Sequence, residues 1–273
     1  MSLFDAFAFR GKRALVVGGA TGMGNATARL ALDAGAEVVV MDYAPCDIPD
    51  VTAIRVNLAE KASIDAAVGE CGGRVDALFA CAGVADGPGI ERINFIGHRH
   101  LIERLRAQGM LRRGSAIGFI SSAAGLAWRS NMLQLNEFLD IADFEAASAW
   151  AVDHGCAHYM FTKQAVCAYV AREAMQFISD GIRINAICPG PTDTPLAQAN
   201  KEIWLDFGAD YREQVGVSAA TPAEQAYPLL FLCSDAATVV NGITLVTDSG
   251  YLSAGITEAF PPGTPMAKML LDG

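Results

Sequence analysis

Tyr159 and Lys163 stand four positions apart in the stretch YMFTK. On a helix that spacing puts a phenol and an ammonium group on one face. A phenol ionises near pH 10 and is a poor base at neutral pH. An ammonium about 4 Å away, at an effective dielectric near 20, contributes about 4 kcal/mol toward the phenolate, or roughly 3 pKa units, before desolvation subtracts from it. Such a phenol can take a proton from a hydroxyl group or return one to it. The same two residues also fit a plainer arrangement, a lysine snorkelling from an amphipathic helix. The stretch that follows, Gln164 to Met175, is rich in alanine, lacks Gly and Pro, and reads as helix.

A second cluster lies near the start of the chain. VVGGATGMGNA carries Gly18, Gly22 and Gly24 between a β-rich run and an alanine-rich one. Glycines there allow a tight turn and a close approach of backbone to phosphate, with a pyrophosphate at the positive end of the helix that follows. The next β-rich run ends in Asp42, 18 residues after Gly24, where a carboxylate can accept bonds from the ribose hydroxyls of a dinucleotide. That acid repels a 2′-phosphate, and no Arg or Lys lies in the glycine loop or just after Asp42. NAD is therefore expected rather than NADP. Asp42 also fits an ordinary turn acid at a strand end.

These residues need a scaffold, and the rest of the chain supplies one. Strands are expected at 13–19, 37–42, 52–57, 75–83, 115–122, 182–188 and 243–248, with helical stretches between them, the first at 25–35 ending on Gly35. Continuous apolar strands separated by helices imply a parallel sheet covered on both faces, an α/β doubly wound architecture. With no linker or repeat in sight, residues 1–273 read as a single domain. Two segments stand outside the pattern, an insertion at 123–158 and a tail at 251–273. The 273 residues are 52% hydrophobic and 18% charged, enough for a sizeable core. The net charge of −10 argues against nucleic acid or an anionic membrane as partner. No apolar run has the length of a membrane span, and MSLFDAFAFRGKR does not read as a signal peptide. Seven scattered cysteines suit reduced thiols in a cytoplasmic protein.

The glycine spacing together with YxxxK resembles the classical short-chain dehydrogenase/reductase family, over about residues 10–250. The resemblance implies a seven-stranded Rossmann sheet with a helical insertion between the fifth strand and the helix of Tyr159. It implies catalytic roles for Ser122 in GFISSAAG, Tyr159, Lys163 and Asn94 in INFIG. Tyr159 would be the general acid/base, Lys163 would lower its pKa and hold the nicotinamide ribose, Ser122 would bind the reacting oxygen, and Asn94 would position a relay water. Cofactor contacts are implied for Gly18, Thr21, Gly22, Met23 and Gly24, for Asp42, Asn57 and Leu58, for Cys81, Ala82 and Gly83 of ACAG, and for Pro189, Gly190, Thr192 and Thr194, besides Tyr159 and Lys163. The chain departs from the family pattern at Val17, at Ala80-Cys81 and at Asn57, all on the cofactor wall.

Only 10 residues separate Gly83 from Asn94, whereas 36 separate Ser122 from Tyr159. That combination resembles the bacterial 3α-hydroxysteroid dehydrogenase/carbonyl reductase branch. It implies a small hydrophobic alcohol or ketone as substrate, a hydroxysteroid or another bulky alicyclic compound, and a homodimer or homotetramer. The insertion 123–158 is then expected to shape the substrate site and to block one helix-face interface. A reductase of small carbonyl compounds, an NAD-sensing binding protein on the same fold and an AdoMet methyltransferase are the competing readings. YxxxK and Pro189-Gly190 argue against the last. His154, Cys156 and His158 have a spacing that could ligate a metal, but no further ligand is evident and no metal is expected. GHRH (97–100) reads as the solvated side of a helix. Trp128, Trp150 and Trp204 fall near the expected substrate loops, as pocket lining or as packing.

Overall fold

The strands form because their residues are apolar on both faces: RALVV, EVVVMD, AIGFI and RINAICP are buried nearly throughout. Such runs are stable only with helices above and below. The computed structural model, which describes residues 2–272, places them in one seven-stranded sheet. β1 (Arg13–Val17), β2 (Glu37–Asp42), β3 (Thr52–Arg55), β4 (Ala77–Ala80), β5 (Ala116–Ile120), β6 (Arg183–Pro189) and β7 (Thr244–Thr247) lie in the order β3-β2-β1-β4-β5-β6-β7, each neighbouring pair parallel. The strand order reverses between β1 and β4. Crossovers leave in opposite directions there, and a crevice opens at the carboxyl ends of the strands.

One face of the sheet packs on the helices Gly22–Asp33 and Pro222–Cys233, through Val38, Val40, Phe79 and Leu229. The other packs on Lys61–Cys71, Gly97–Ala107 and Tyr159–Ser179, through Leu15, Leu78, Phe119 and Val166. Gly35, just past the Gly22–Asp33 helix, has φ +92° and turns the chain into β2.

The insertion is ordered: a 3₁₀ segment Ala123–Arg129 and the helices Met132–Leu139 and Phe144–Asp153. Most of its apolar side chains pack into the body of the protein, while Leu133 and Val152 stay exposed, at 81% and 59%. Phe138, 1% exposed, sits with ring centroids 5.5 Å from Phe95, 5.5 Å from Trp150 and 5.4 Å from Phe161. Leu135, Phe144, Ala147 and Ala151 join the same core. Of the two covers open to that surface, the body of the domain or a bulky substrate, the domain supplies the one seen for these side chains. Helix faces cover them, and Trp150 is part of that packing, stacked on His154 at 4.2 Å. Trp128 likewise packs on buried clusters from both sides of the insertion.

A correction concerns GHRH. His98 and Arg99 are 2% and 4% exposed. Burial is tolerated because partners exist: His98 Nε2 lies 2.9 Å from the Ala82 carbonyl, Arg99 donates to the carbonyls of Leu139 and Ile141, and His100 meets Asp65. The helix enters through a π-helical turn, Arg92–Ile96, and is covered by the insertion instead of by water.

The tail folds into the helices Tyr251–Ile256 and Thr264–Asp272, whose Leu252, Ala267 and Leu270 pack on Ala123, Leu126 and Cys188; Gly273 lies outside the described residues. Among the described residues no helix is long and apolar enough to cross a membrane.

If Phe138 ties the insertion to the core, Phe138→Ala should lower unfolding free energy by about 3–5 kcal/mol, measured by chemical denaturation. A loss under about 1 kcal/mol would show that the insertion is not part of the cooperative core.

Candidate active site

The glycine turn is built by close approach. Gly18 has φ +88°, and a β-carbon there would lie 2.4 Å from the backbone of Ala82. A β-carbon on Gly24 would lie 1.9 Å from the Gly18 carbonyl oxygen. Only hydrogen fits at either place. The turn delivers the chain into the Gly22–Asp33 helix, whose N-cap Thr21 makes no side-chain bond to the helix amides. Amide donors are therefore left at a helix start that opens on the crevice.

The crevice encloses about 480 Å³. Gly18, Thr21, Gly22, Met23, Gly24, Asp42, Asn57, Leu58, Cys81, Ala82, Gly83 and Thr194 all line it, as the motifs imply. Glycines that could not carry a side chain, uncapped amides and a strand-end carboxylate suit the two phosphates and the ribose of a dinucleotide. Asp42 accepts from the amides of Ala20 at 2.8 Å and Ala44 at 2.9 Å, so the carboxylate also shapes the loops around it. Asn57 is engaged locally, with the Ala59 amide on its Oδ1 and Glu60 on its Nδ2.

Pro189, Gly190 and Thr192 do not line the crevice. Pro189 pairs with Thr247, Gly190 packs on Asp248, and the Thr192 hydroxyl donates to the Gly190 carbonyl at 3.0 Å. They form the shoulder between β6 and the crevice. Val17, placed on the cofactor wall by the sequence, lines it too, whereas the sequence reading missed Met41, Tyr43, Val56, Ala59, Val84, Ile93, Pro195 and Leu196. Most sit one residue before or after a motif position, so adjacency to strand ends was the available signal.

At the other end of the site Ser122, Tyr159 and Lys163 come together. Ser122 follows β5 and caps the 3₁₀ segment, accepting the Ala124 amide at 3.2 Å. Its hydroxyl faces the Tyr159 phenol closely enough to favour the phenolate. Ser121 points the opposite way and is buried, donating to the Lys163 carbonyl at 2.9 Å. Lys163 Nζ donates to the Ile120 carbonyl at 3.1 Å and lies 5.5 Å from the centre of the Tyr159 ring. Tyr159 and Lys163 do not themselves line the crevice, but Nζ lies close to Gly83, which does: a β-carbon there would be 3.4 Å from Nζ and 3.5 Å from Asn94 Oδ1.

Two expectations change. The phenol is not acidified in the protein alone. Burial outweighs the effect of the Ser122 hydroxyl and pushes Tyr159 up to about 12, while burial brings Lys163 down to about 8. The ammonium sits over the ring, 5.5 Å from its centre, and donates to a carbonyl. Asn94, in contrast, is fully engaged. It accepts the Val84 amide at 2.8 Å and donates to the Val84 carbonyl at 3.0 Å and to Thr162 Oγ1 at 3.4 Å. It fastens the loop after β4 to the Tyr159 helix.

Trp204 stands with its ring 4.9 Å from that of Tyr159. His154 uses Nδ1 on the Trp150 carbonyl, and His158 Nδ1 accepts the Phe161 amide, so both serve local caps.

A family model described as enoyl-(acyl carrier protein) reductase matches residues 18–252. Cis-4-hydroxycyclohexanecarboxylate dehydrogenase of Sinomonas cyclohexanicum is 31% identical over 271 residues, covering 89% of this chain and 98% of that protein. The 3-alpha-hydroxysteroid dehydrogenase/carbonyl reductase of Comamonas testosteroni is 29% identical over 251 residues, covering 86% and 95%. A crystal structure of the 3-alpha-hydroxysteroid dehydrogenase from Pseudomonas sp. B-0831 complexed with NADH superposes with a TM-score of 0.73 at 26% identity, covering 91% of this chain and 99% of that one. The sheet order, the glycine turn, the Ser122–Tyr159–Lys163 cluster and these matches lead to one conclusion: the chain belongs to the short-chain dehydrogenase/reductase family of oxidoreductases and resembles its bacterial 3α-hydroxysteroid dehydrogenase/carbonyl reductase branch.

Proposed function

We propose that the protein is an NAD-dependent dehydrogenase interconverting a secondary alcohol and a ketone on a bulky alicyclic compound, with hydroxysteroids the first class to test. The observation that carries this reading is the meeting of Ser122, Tyr159 and Lys163 beside a crevice suited to a dinucleotide. Asp42 on the crevice wall supports NAD over NADP, as does the NADH bound to the related 3-alpha-hydroxysteroid dehydrogenase. Two relatives named for a hydroxycyclohexane acid and a hydroxysteroid support a cyclic substrate. Trp204 against Tyr159 offers such a ring an apolar wall.

When bound, NAD supplies the hydride acceptor and a positively charged ring. The protein's own residues handle the proton. Ser122 holds the reacting oxygen by a hydrogen bond. Tyr159 takes the hydroxyl proton when the alcohol is oxidised and returns it when the ketone is reduced. With burial holding the phenol near pKa 12, Tyr159 is a ready acid for reduction at neutral pH, and oxidation needs added positive charge beside it. Lys163 supplies part of that charge and reaches the crevice wall where the cofactor's second ribose would lie. We propose that Asn94 holds the adjoining loop, and that the protein works as a homodimer or homotetramer in the cytoplasm.

Tyr159→Phe should leave NADH affinity intact by fluorescence titration and lower kcat by roughly 10²–10⁴-fold; a variant keeping a tenth of wild-type kcat would remove the phenol from the reaction. Asp42→Ala should shift the NAD/NADP ratio of kcat/KM toward NADP by at least about tenfold, and an unchanged ratio would take Asp42 out of the site. Trp204→Ala should raise KM for a cyclic alcohol several-fold more than for a small acyclic ketone. Equal losses would point to a reductase of small carbonyl compounds.

A further inference from the structure

The loop that follows β4 is tethered to the catalytic helix at two points. The first is Asn94, which takes both backbone polar groups of Val84. The second lies two residues on: Asp86 Oδ1 accepts the backbone N–H of Tyr159 at 2.6 Å, across 73 residues of sequence. Tyr159 opens a helix of 21 residues, so that amide has no partner within the helix. His158 gives the helix one cap from its own chain, through the Phe161 amide at 3.4 Å. Asp86 gives it another from a different part of the fold. A carboxylate is favoured at this end by the helix dipole and by the charge-assisted bond to the amide.

We propose that Asp86 is a positioning residue for Tyr159: its carboxylate fixes the start of the helix that carries the phenol, and its negative charge sets the pH at which Tyr159 gives up its proton. This rests on Tyr159 being the acid/base of the reaction. Five groups face Tyr159. Lys163 lies on its own helix, Ser122 after β5, Cys188 on β6, Trp204 on the short helix Lys201–Trp204, and Asp86 on the loop. Cys188 is held well above the ordinary thiol range by its contact with Cys167 and by burial, and is neutral during turnover. Ser122 and Trp204 carry no charge. The electrostatic balance at the phenol therefore lies between the Lys163 ammonium, buried, and the Asp86 carboxylate, exposed to solvent. Asp86 acts with burial to oppose the phenolate.

Asp86→Asn keeps an oxygen for the Tyr159 amide and removes only the charge. The pH at which kcat for alcohol oxidation reaches half its plateau should fall by about half a unit, with NADH affinity unchanged. Salt provides a second measurement that needs no variant. Raising ionic strength screens an exposed charge more than a buried one, so the wild-type midpoint should move the same way and the Asp86→Asn midpoint should not. A midpoint unmoved in Asp86→Asn, or equal salt responses in the two proteins, would overturn the proposal. Should Asp86→Asn lose its fold by circular dichroism, Asp86→Glu, which keeps the charge, takes its place beside the wild-type salt series: a wild-type midpoint insensitive to salt would then decide against it. Tyr159→Phe in the same assay separates the two ideas. Normal turnover there sinks the acid/base assignment, whereas its loss alongside an unmoved Asp86→Asn midpoint sinks Asp86 alone.

Discussion

Lys163 is carried between the end of β5 and its own helix, and there its ammonium donates to the Ile120 carbonyl while Ser121 donates back to the Lys163 carbonyl. Each element thus holds the other by a buried polar bond. Taking an ammonium out of water costs several kcal/mol unless its donors are met, so the arrangement survives only if β5 and the helix keep their spacing. That requirement reaches outward. Ser122 follows Ser121 and faces the phenol because Ser121 faces inward, and Tyr159 is placed one helical turn before Lys163. The neighbouring wall at Gly83 comes within contact distance of the same ammonium. A charge buried beside the crevice wall also registers the strand, the helix and the cofactor wall against one another.

The fold was largely legible in the chain. Seven β-rich runs became seven strands within a few residues of the expected bounds; the central ones were clearest, because a strand covered on both faces needs an unbroken apolar stretch, whereas the edge strands β3 and β7 are only partly covered. The helix expected at 25–35 begins three residues earlier, at Gly22, since the glycine turn itself supplies its first residue. The crevice residues named from the motifs were legible because glycine and a strand-end acid leave few other uses. What escaped depends on contacts between distant segments. Nothing local in GHRH says that Arg99 will meet the carbonyls of Leu139 and Ile141, so the polar residues there read as solvated. Nothing near Asn94 names Val84 as its partner for both bonds.

The acidity of Tyr159 shows the same division. Spacing placed an ammonium and a phenol together, which the structure bears out, but their charge–charge term is set by orientation and burial. With the ammonium over the ring and both groups out of water, desolvation wins and the phenol rises to about 12. Distance along a helix gives proximity; it does not give the sign of the net effect. The insertion makes a parallel point. Its apolar residues had two possible covers, the body of the domain or a bulky substrate, and the helices bearing Asn94 and Tyr159 took most of them.

The segment after β6 is built differently from this interlocked centre. Between Pro195 and Val215 it consists of three short helices, with Ile203 73% exposed and Val215 47% exposed, and only Ala197, Leu205 and Tyr211 buried among its hydrophobic residues. Trp204, the residue nearest the phenol on that side, belongs to it. Mutations here disturb little of the packing that sustains the sheet, while those at β5 or the Tyr159 helix disturb all of it. Some twenty residues on this side of the crevice can therefore be rewritten by descendants of this gene while the packing around Ser122, Tyr159 and Lys163 is inherited unchanged.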